Sequence, residues 1–229
     1  MKEFIELLDH LCSIEDSSSI GGMQILSDGS VFLHVVQVLD PKDPEIIVKL
    51  HLLKYHKVDP RHIIAEIEEE LKRKYQAPSV FDLGFDEIVE KIVSDHGKSR
   101  RFHPLYLAMP HHPNQDFYDE SGQLCSVMFN DKDSIKFNVS QIDVDLFGSL
   151  PYNLLYSVVF ASIFANMTGC RLIECNFDFM NPYVRREDLP KVAQLIEEEP
   201  PLDICKIRIK KPIKNLSKFN EKYIEIEIQ

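Results

Sequence analysis

The sequence predicts an α+β fold, a mixed sheet packed against helices, as a single domain over residues 1–229. Three observations predict it. Short runs of β-branched and aromatic residues bounded by turn residues are the commonest pattern. Apolar residues recur at helical spacing in several separate stretches. The two patterns do not alternate strictly, as a chain of successive βαβ units would require.

Phe4, Ile5, Leu7, Leu8 and Leu11 share one helical face, which predicts a helix over residues 2–13. Ser17 to Gly22 reads as a loop. Met23 to Leu26 and Val31 to Leu39 flank Ser27-Asp28-Gly29-Ser30, a hairpin signal. Ile46 to Tyr55 reads as a strand. Asp59-Pro60 opens a helix through about Tyr75, a cap residue followed by proline at the first helical position. Its Ile63, Ile64, Ile67 and Leu71 form an apolar stripe, and the glutamates between them read as a solvated face. A helix is predicted at 84–95 and an extended segment at 102–109. Leu124 to Phe129 and Ile135 to Leu146 read as a hairpin around Asn130 to Asp133. Leu150 to Thr168 is the most apolar helix, ended by Gly169. A strand follows at 171–178, a helix at 187–196, and late strands at 204–209 and 223–228.

The composition, 44% hydrophobic and 28% charged, is that of a globular chain. The net charge of −11 argues against nonspecific nucleic-acid binding, which needs clustered Lys and Arg. No apolar run approaches the roughly 18 residues of a membrane span. Acidic residues within the amphipathic start make a signal peptide a poor reading, so a cytoplasmic location is the expectation. The five cysteines include no CxxC pair and read as reduced thiols. His103, His111, His112 and Asp116 are residue types that suit zinc or iron. Adjacent His111 and His112 would project to opposite faces of a strand, so no metal site is expected.

Two blocks carry a more specific signal. The first is Leu107-Ala108-Met109-Pro110-His111-His112, followed by Phe117-Tyr118 and Gly122-Gln123-Leu124. The second runs from Gln141 through Asp145, Phe147, Leu150 and Pro151 to Asn153. In this order, the blocks resemble the thymidylate synthase and deoxypyrimidine hydroxymethylase superfamily. The resemblance covers about residues 99–212, with an insertion of roughly ten residues near 130–134. It implies a thymidylate synthase-like fold and a sheet-to-sheet homodimer.

The resemblance also implies roles. The family's nucleophilic cysteine falls on His111, beside His112. In the family that thiolate adds to C6 of the uracil ring and makes C5 nucleophilic. Asn153 matches the asparagine that reads the pyrimidine edge, and its amide favours uracil over cytosine. A helix N-cap is the alternative reading of Asn153. Arg100 and Arg101 resemble the paired arginines lent to a partner subunit's phosphate, and solvated arginines are the alternative. Tyr183 aligns with a ribose-binding tyrosine, and Asn181 stands where its histidine companion would be. Asp145 matches the aspartate that contacts the folate pterin. The family's phosphate-binding arginine and serine fall on Ile142 and Asp143, which cannot grip an anion.

The resemblance therefore implies a protein that binds a pyrimidine nucleotide or nucleoside but has lost ordinary folate-dependent methylation. One alternative is an active pyrimidine C5 methyl- or hydroxymethyltransferase with a displaced nucleophile, and only that reading calls for tetrahydrofolate. The other is a non-catalytic structural dimer module.

Overall fold

The computed structural model describes residues 19–20, 23–25, 29–34, 36–38, 45–50, 52–76, 94, 102–108, 122–131, 134–142, 144–180, 183–198 and 202–229. These form a mixed α+β structure. Its strands are β1 (Ser19–Ile20), β2 (Met23–Ile25), β3 (Gly29–His34), β4 (Val36–Val38), β5 (Glu45–Leu50), β6 (Phe102–Ala108), β7 (Gly122–Asp131), β8 (Ser134–Ile142), β9 (Arg171–Met180), β10 (Tyr183–Arg185), β11 (Asp203–Ile209) and β12 (Ile224–Ile228). Its helices are α1 (Pro60–Gln76), α2 (Leu150–Thr168) and α3 (Leu189–Glu198). The predicted helix at 2–13 lies outside the described residues, as does that at 84–95 apart from Ser94, which is helical.

Helix α2 is apolar on every side because it is enclosed on every side. Seventeen of its 19 residues are buried, from Leu150 through Ala165 and again at Thr168. Contrary to the expectation that no apolar run approaches a membrane span, this 19-residue helix is, among the described residues, the one long and apolar enough to cross a membrane, yet 89% of its most apolar window is buried inside the protein. Core packing accounts for its composition. Phe160 meets Phe137 of β8 with ring centroids 6.2 Å apart, and each such buried ring contributes about 1.5–3 kcal/mol. The helix ends where expected, at Gly169 with φ +68°. Cys170 N–H donates to Ala165 O and Gly169 N–H to Asn166 O, the paired bonds of a Schellman ending.

Strands β8 and β9 lie parallel, joined by α2 as a crossover, within the five-stranded order β3-β9-β8-β7-β6. Its other pairings are antiparallel, including the expected β7–β8 hairpin. Ile135, Phe137 and Val139 of β8 and Leu172, Cys175 and Phe177 of β9 are buried. A bulge re-phases β9, because Ile135 pairs with Leu172 but Lys136 pairs with Glu174. Without the extra residue, Leu172 and Cys175 could not face the same way, since side chains alternate with period 2. The alternate residues are polar. Lys136 Nζ lies 2.5 Å from Glu174 Oε2, and Asn176 Nδ2 donates to Asn138 Oδ1 at 2.9 Å.

The four-stranded sheet has the order β12-β11-β5-β4. Helix α1 packs beside β12 and buries the expected Ile63, Ile64, Ile67 and Leu71. Its first turn is capped by Asp59, whose Oδ1 accepts from Arg61 N–H at 2.9 Å. The strand predicted over 46–55 stops at Leu50. Leu52 turns into the left-handed region at φ 67°, and its C=O accepts from His56 N–H. The buried pair Leu52-Leu53 already breaks strand alternation. Helix α3 begins two residues later than predicted, after a 3₁₀ turn at Arg186–Asp188.

The predicted hairpin around residues 27–30 does not form. Strand β2 pairs with β1 and β10, whereas β3 pairs with β9. The expected strand from Val31 to Leu39 is divided between two sheets as β3 and β4. Ladders offered by distant strands outcompete the local turn. The tight pairing instead joins β1 to β2, with Ile20 opposite Met23 across Gly21-Gly22. A Gly-Gly pair between strands is itself a hairpin signal, here read as part of a loop.

Candidate functional site

Among the described residues, the predicted site residues Asp145, Tyr183 and Asn153 lie at the N-terminal end of α2 and the turn that leads into it. The chain enters that helix through a turn organised by Asp145. Asp145 C=O accepts from Ser149 N–H at 3.1 Å and Leu150 N–H at 3.0 Å. Its carboxylate Oδ1 accepts from Phe147 N–H at 3.2 Å and Gly148 N–H at 3.0 Å. Arg185 Nε stands 3.1 Å from Oδ2, an ion pair whose angle falls short of a hydrogen bond. Burial pushes the Asp145 carboxyl up from its ordinary range, against the pull of the Gly148 N–H and of Arg185.

Tyr183 reaches this turn from 38 residues away. It forms a parallel bridge with Asp145: Tyr183 N–H donates to Val144 O and Leu146 N–H donates to Tyr183 O, both at 2.8 Å. Two residues grouped by sequence reasoning are thus neighbours in space.

Asn153 is the fourth residue of α2, not its cap. The N-cap position is Ser149, and Asn153 N–H already donates to Ser149 O at 3.0 Å. The N-cap reading fails because the helix starts at Leu150, through Pro151 in its first turn. Asn153 is 4% exposed. Its side-chain amide is not among the buried polar atoms left without a hydrogen bond, so burial alone does not mark it as a ligand site.

Beside Asn153 lies a cluster that sequence reasoning placed in solvent. Tyr152 O–H donates to Glu66 Oε2, and His62 Nε2 lies 3.0 Å from Glu66 Oε1. Glu66 is not on a solvated face: its side chain is only 15% exposed. Burial raises its carboxyl above the usual range, opposed by Tyr152 and His62 and reinforced by Glu69. The Tyr152 hydroxyl is raised as well, by burial and then by Glu66. A buried carboxylic acid with a raised pKa suits general acid or base work. The available signal was the i, i+4 spacing of His62 and Glu66 at the edge of the apolar stripe.

A third group borders the entry turn. The Phe147 ring meets Tyr55 and His56 edge to face, at 5.7 and 5.0 Å. Lys191 Nζ lies 6.0 Å from the Phe147 ring centre and 2.5 Å from Asp188 Oδ1. An open groove of about 430 Å³ borders the same 52–57 turn, lined by Leu53, Lys54, Lys57, Val58, Asp59, Pro60 and Ile228. It includes none of Asp145, Asn153 and Tyr183.

Arg100, Arg101, His111, His112 and Asn181 lie outside the described residues, as do Asp143 and Asp116. Among the described residues, no three His, Cys, Asp or Glu side chains are grouped to hold a metal. Cys170, Cys175 and Cys205 are buried and outside any disulfide. Burial pushes the Cys205 thiol up to about 12, far from a nucleophilic thiolate.

Compared with known proteins, the chain matches no protein-family model and no curated protein.

Proposed function

We propose that this chain is a thymidylate synthase-like protein that binds a pyrimidine nucleotide or nucleoside and does not carry out ordinary folate-dependent methylation. The observation that carries the reading is Asn153, a buried amide in the first turn of the central helix, which follows the turn organised by Asp145. An amide there can donate to a ring carbonyl and accept from a ring N–H, the edge presented by uracil.

The loss of folate chemistry is supported by Asp145. Its carboxylate is 1% exposed, with Oδ1 accepting from two backbone N–H groups and Oδ2 paired with the Arg185 charge, so the group serves the entry turn and not an exposed pterin contact. The thiols of Cys170, Cys175 and Cys205 are equally poor candidates for a displaced nucleophile, being buried within the core. The same reading includes a sheet-to-sheet homodimer, which sedimentation of the purified protein tests directly.

A thermal-shift screen with deoxyuridine, uridine and cytidine monophosphates tests the binding. A ligand that binds only the folded state raises the midpoint, by about 2.7 kcal/mol of stabilisation at one hundred times its Kd. Uracil nucleotides should shift the wild type and leave Asn153→Ala unmoved. No shift with any pyrimidine nucleotide or nucleoside removes the reading in favour of a structural dimer module.

A further inference from the structure

Helices α1 and α2 meet through a polar joint inside an otherwise apolar contact. Glu66 of α1 is its centre. One carboxylate oxygen accepts from the Tyr152 hydroxyl of α2. The other lies 3.0 Å from Nε2 of His62, one turn earlier on α1. The His62 and Tyr152 ring centroids are 6.3 Å apart, which closes a triangle. The Glu66 side chain is 15% exposed and that of His62 41% exposed. His62 can therefore exchange protons with solvent while its enclosed Nε2 faces a carboxylate that water scarcely reaches.

The surrounding charges give Glu66 little other support. On α1, Glu69 adds a like charge, and Asp59 acts on His62 but is already held by Arg61. Helix α2 contains no charged residue and offers hydroxyls, Tyr152 and behind it Tyr156. Strand β12 and the 3₁₀ turns at Leu216–Lys218 and Glu221–Tyr223 also pack on α1. Their charged residues Glu225, Glu227, Lys218, Glu221 and Lys222 are exposed, and none is a principal influence on Glu66. Among the described residues, His62 is the one group that can set a positive charge against the Glu66 carboxylate.

Protons therefore act on this joint twice, with one sign. A protonated His62 pairs the buried carboxylate, whereas a neutral one leaves that charge with a hydroxyl and a like-charged neighbour. A proton on Glu66 itself removes the buried charge, and burial favours that form. Each contribution is complete at low pH and is lost as pH rises. We infer that the His62–Glu66–Tyr152 triangle is an acid-tightened joint, which holds the N-terminal half of α1 to the start of α2 when protonated and loosens it when protons leave. Loosening here means more frequent local opening of α1, a sub-global event with its own free energy.

Hydrogen–deuterium exchange of the full chain tests the joint, read as the protection of α1 amides relative to those of β11. The ratio cancels global unfolding and is corrected for the intrinsic pH dependence of exchange. In the wild type it should rise roughly threefold or more between about pH 8 and about pH 5. Glu66→Gln keeps an acceptor for Tyr152 but cannot ionise, so its ratio should stay flat. Glu68→Gln removes a carboxylate of α1 that pairs with Lys72 outside the triangle, and should keep the wild-type slope. A flat wild-type ratio overturns the joint, as does a wild-type slope in Glu66→Gln or an equal loss of slope in Glu68→Gln. Should Glu66→Gln not fold, His62→Gln decides: a reduced slope supports the joint, and a full one overturns it.

Discussion

The Tyr152 hydroxyl donates to the Glu66 carboxylate across the contact between α2 and α1, joining residues 86 apart in the chain. His62 closes the other carboxylate oxygen at 3.0 Å. This is the reverse of the common surface carboxylate, whose pKa falls on folding. Here burial dominates, and the folded-state pKa of Glu66 is raised. A raised pKa means that the folded state holds the proton more tightly than the unfolded state. The contribution is complete below the unfolded value and is lost as pH rises through the folded value. Glu66→Gln keeps the shape and an acceptor for Tyr152 but cannot ionise. Its stability relative to wild type should therefore improve as pH rises from the ordinary carboxylate range through the raised folded-state value, and then level off, in urea denaturation. An unchanged or reversed difference across that range would contradict the assignment.

Arg185 and Asp145 form the second testable pair. Asp145 is 1% exposed, and Arg185 Nε at 3.1 Å is the cation beside its Oδ2. Removing one member of a buried pair leaves an uncompensated charge and costs about 3–5 kcal/mol. Arg185→Ala should lose stability on that scale. The double variant Arg185→Ala with Asp145→Asn should recover much of it, since the orphaned charge is gone. Additive losses in a double-mutant cycle would show that the pair is not coupled.

Gly169 offers a purely backbone test. Its φ of +68° lies where an L side chain is strained, and a Cβ built there meets no heavy atom within 4 Å. The cost of Gly169→Ala is then conformational only, about 1 kcal/mol. Gly169→Asn should lose less, because asparagine tolerates the left-handed region. A loss of several kcal/mol in thermal unfolding would point to a steric cause that the geometry does not contain.

What was legible in the sequence depended on how local its cause was. Asp59-Pro60 and Gly169 act through their own backbone and marked helix ends correctly. The alternation in β8 and β11 was equally local, because one face of each strand is buried. The hairpin expected near residue 28 failed because β9 and β10 supply partners from about 150 residues away, which no window of sequence contains. Glu66 was misread for a related reason. On its own helix it borders the apolar stripe, and only the arrival of Tyr152 makes it interior. Asp145 and Asn153 were found through motif spacing, while the contact of Arg185 with Asp145 depends on the β10 bridge and had no sequence signal.

Asn153 permits the sharpest test, because one atom changes the sense of its recognition. An asparagine side chain can donate to O4 and accept from N3–H of uracil. An aspartate can only accept when ionised, and suits the exocyclic amine and protonated N3 of cytosine. The fold should tolerate Asn153→Asp, since α2 opens there and a carboxylate in the first turns of a helix interacts favourably with its dipole. Burial at 4% exposure opposes ionisation, so a bound cytosine that supplies hydrogens should stabilise the charged form. Leaving a buried polar group unpaired against the wrong base costs about 1–3 kcal/mol. Calorimetry should therefore show Asn153→Asp losing roughly tenfold or more toward deoxyuridine monophosphate while gaining toward the cytidine nucleotide. A variant that keeps its uracil preference would mean that Asn153 does not read the base.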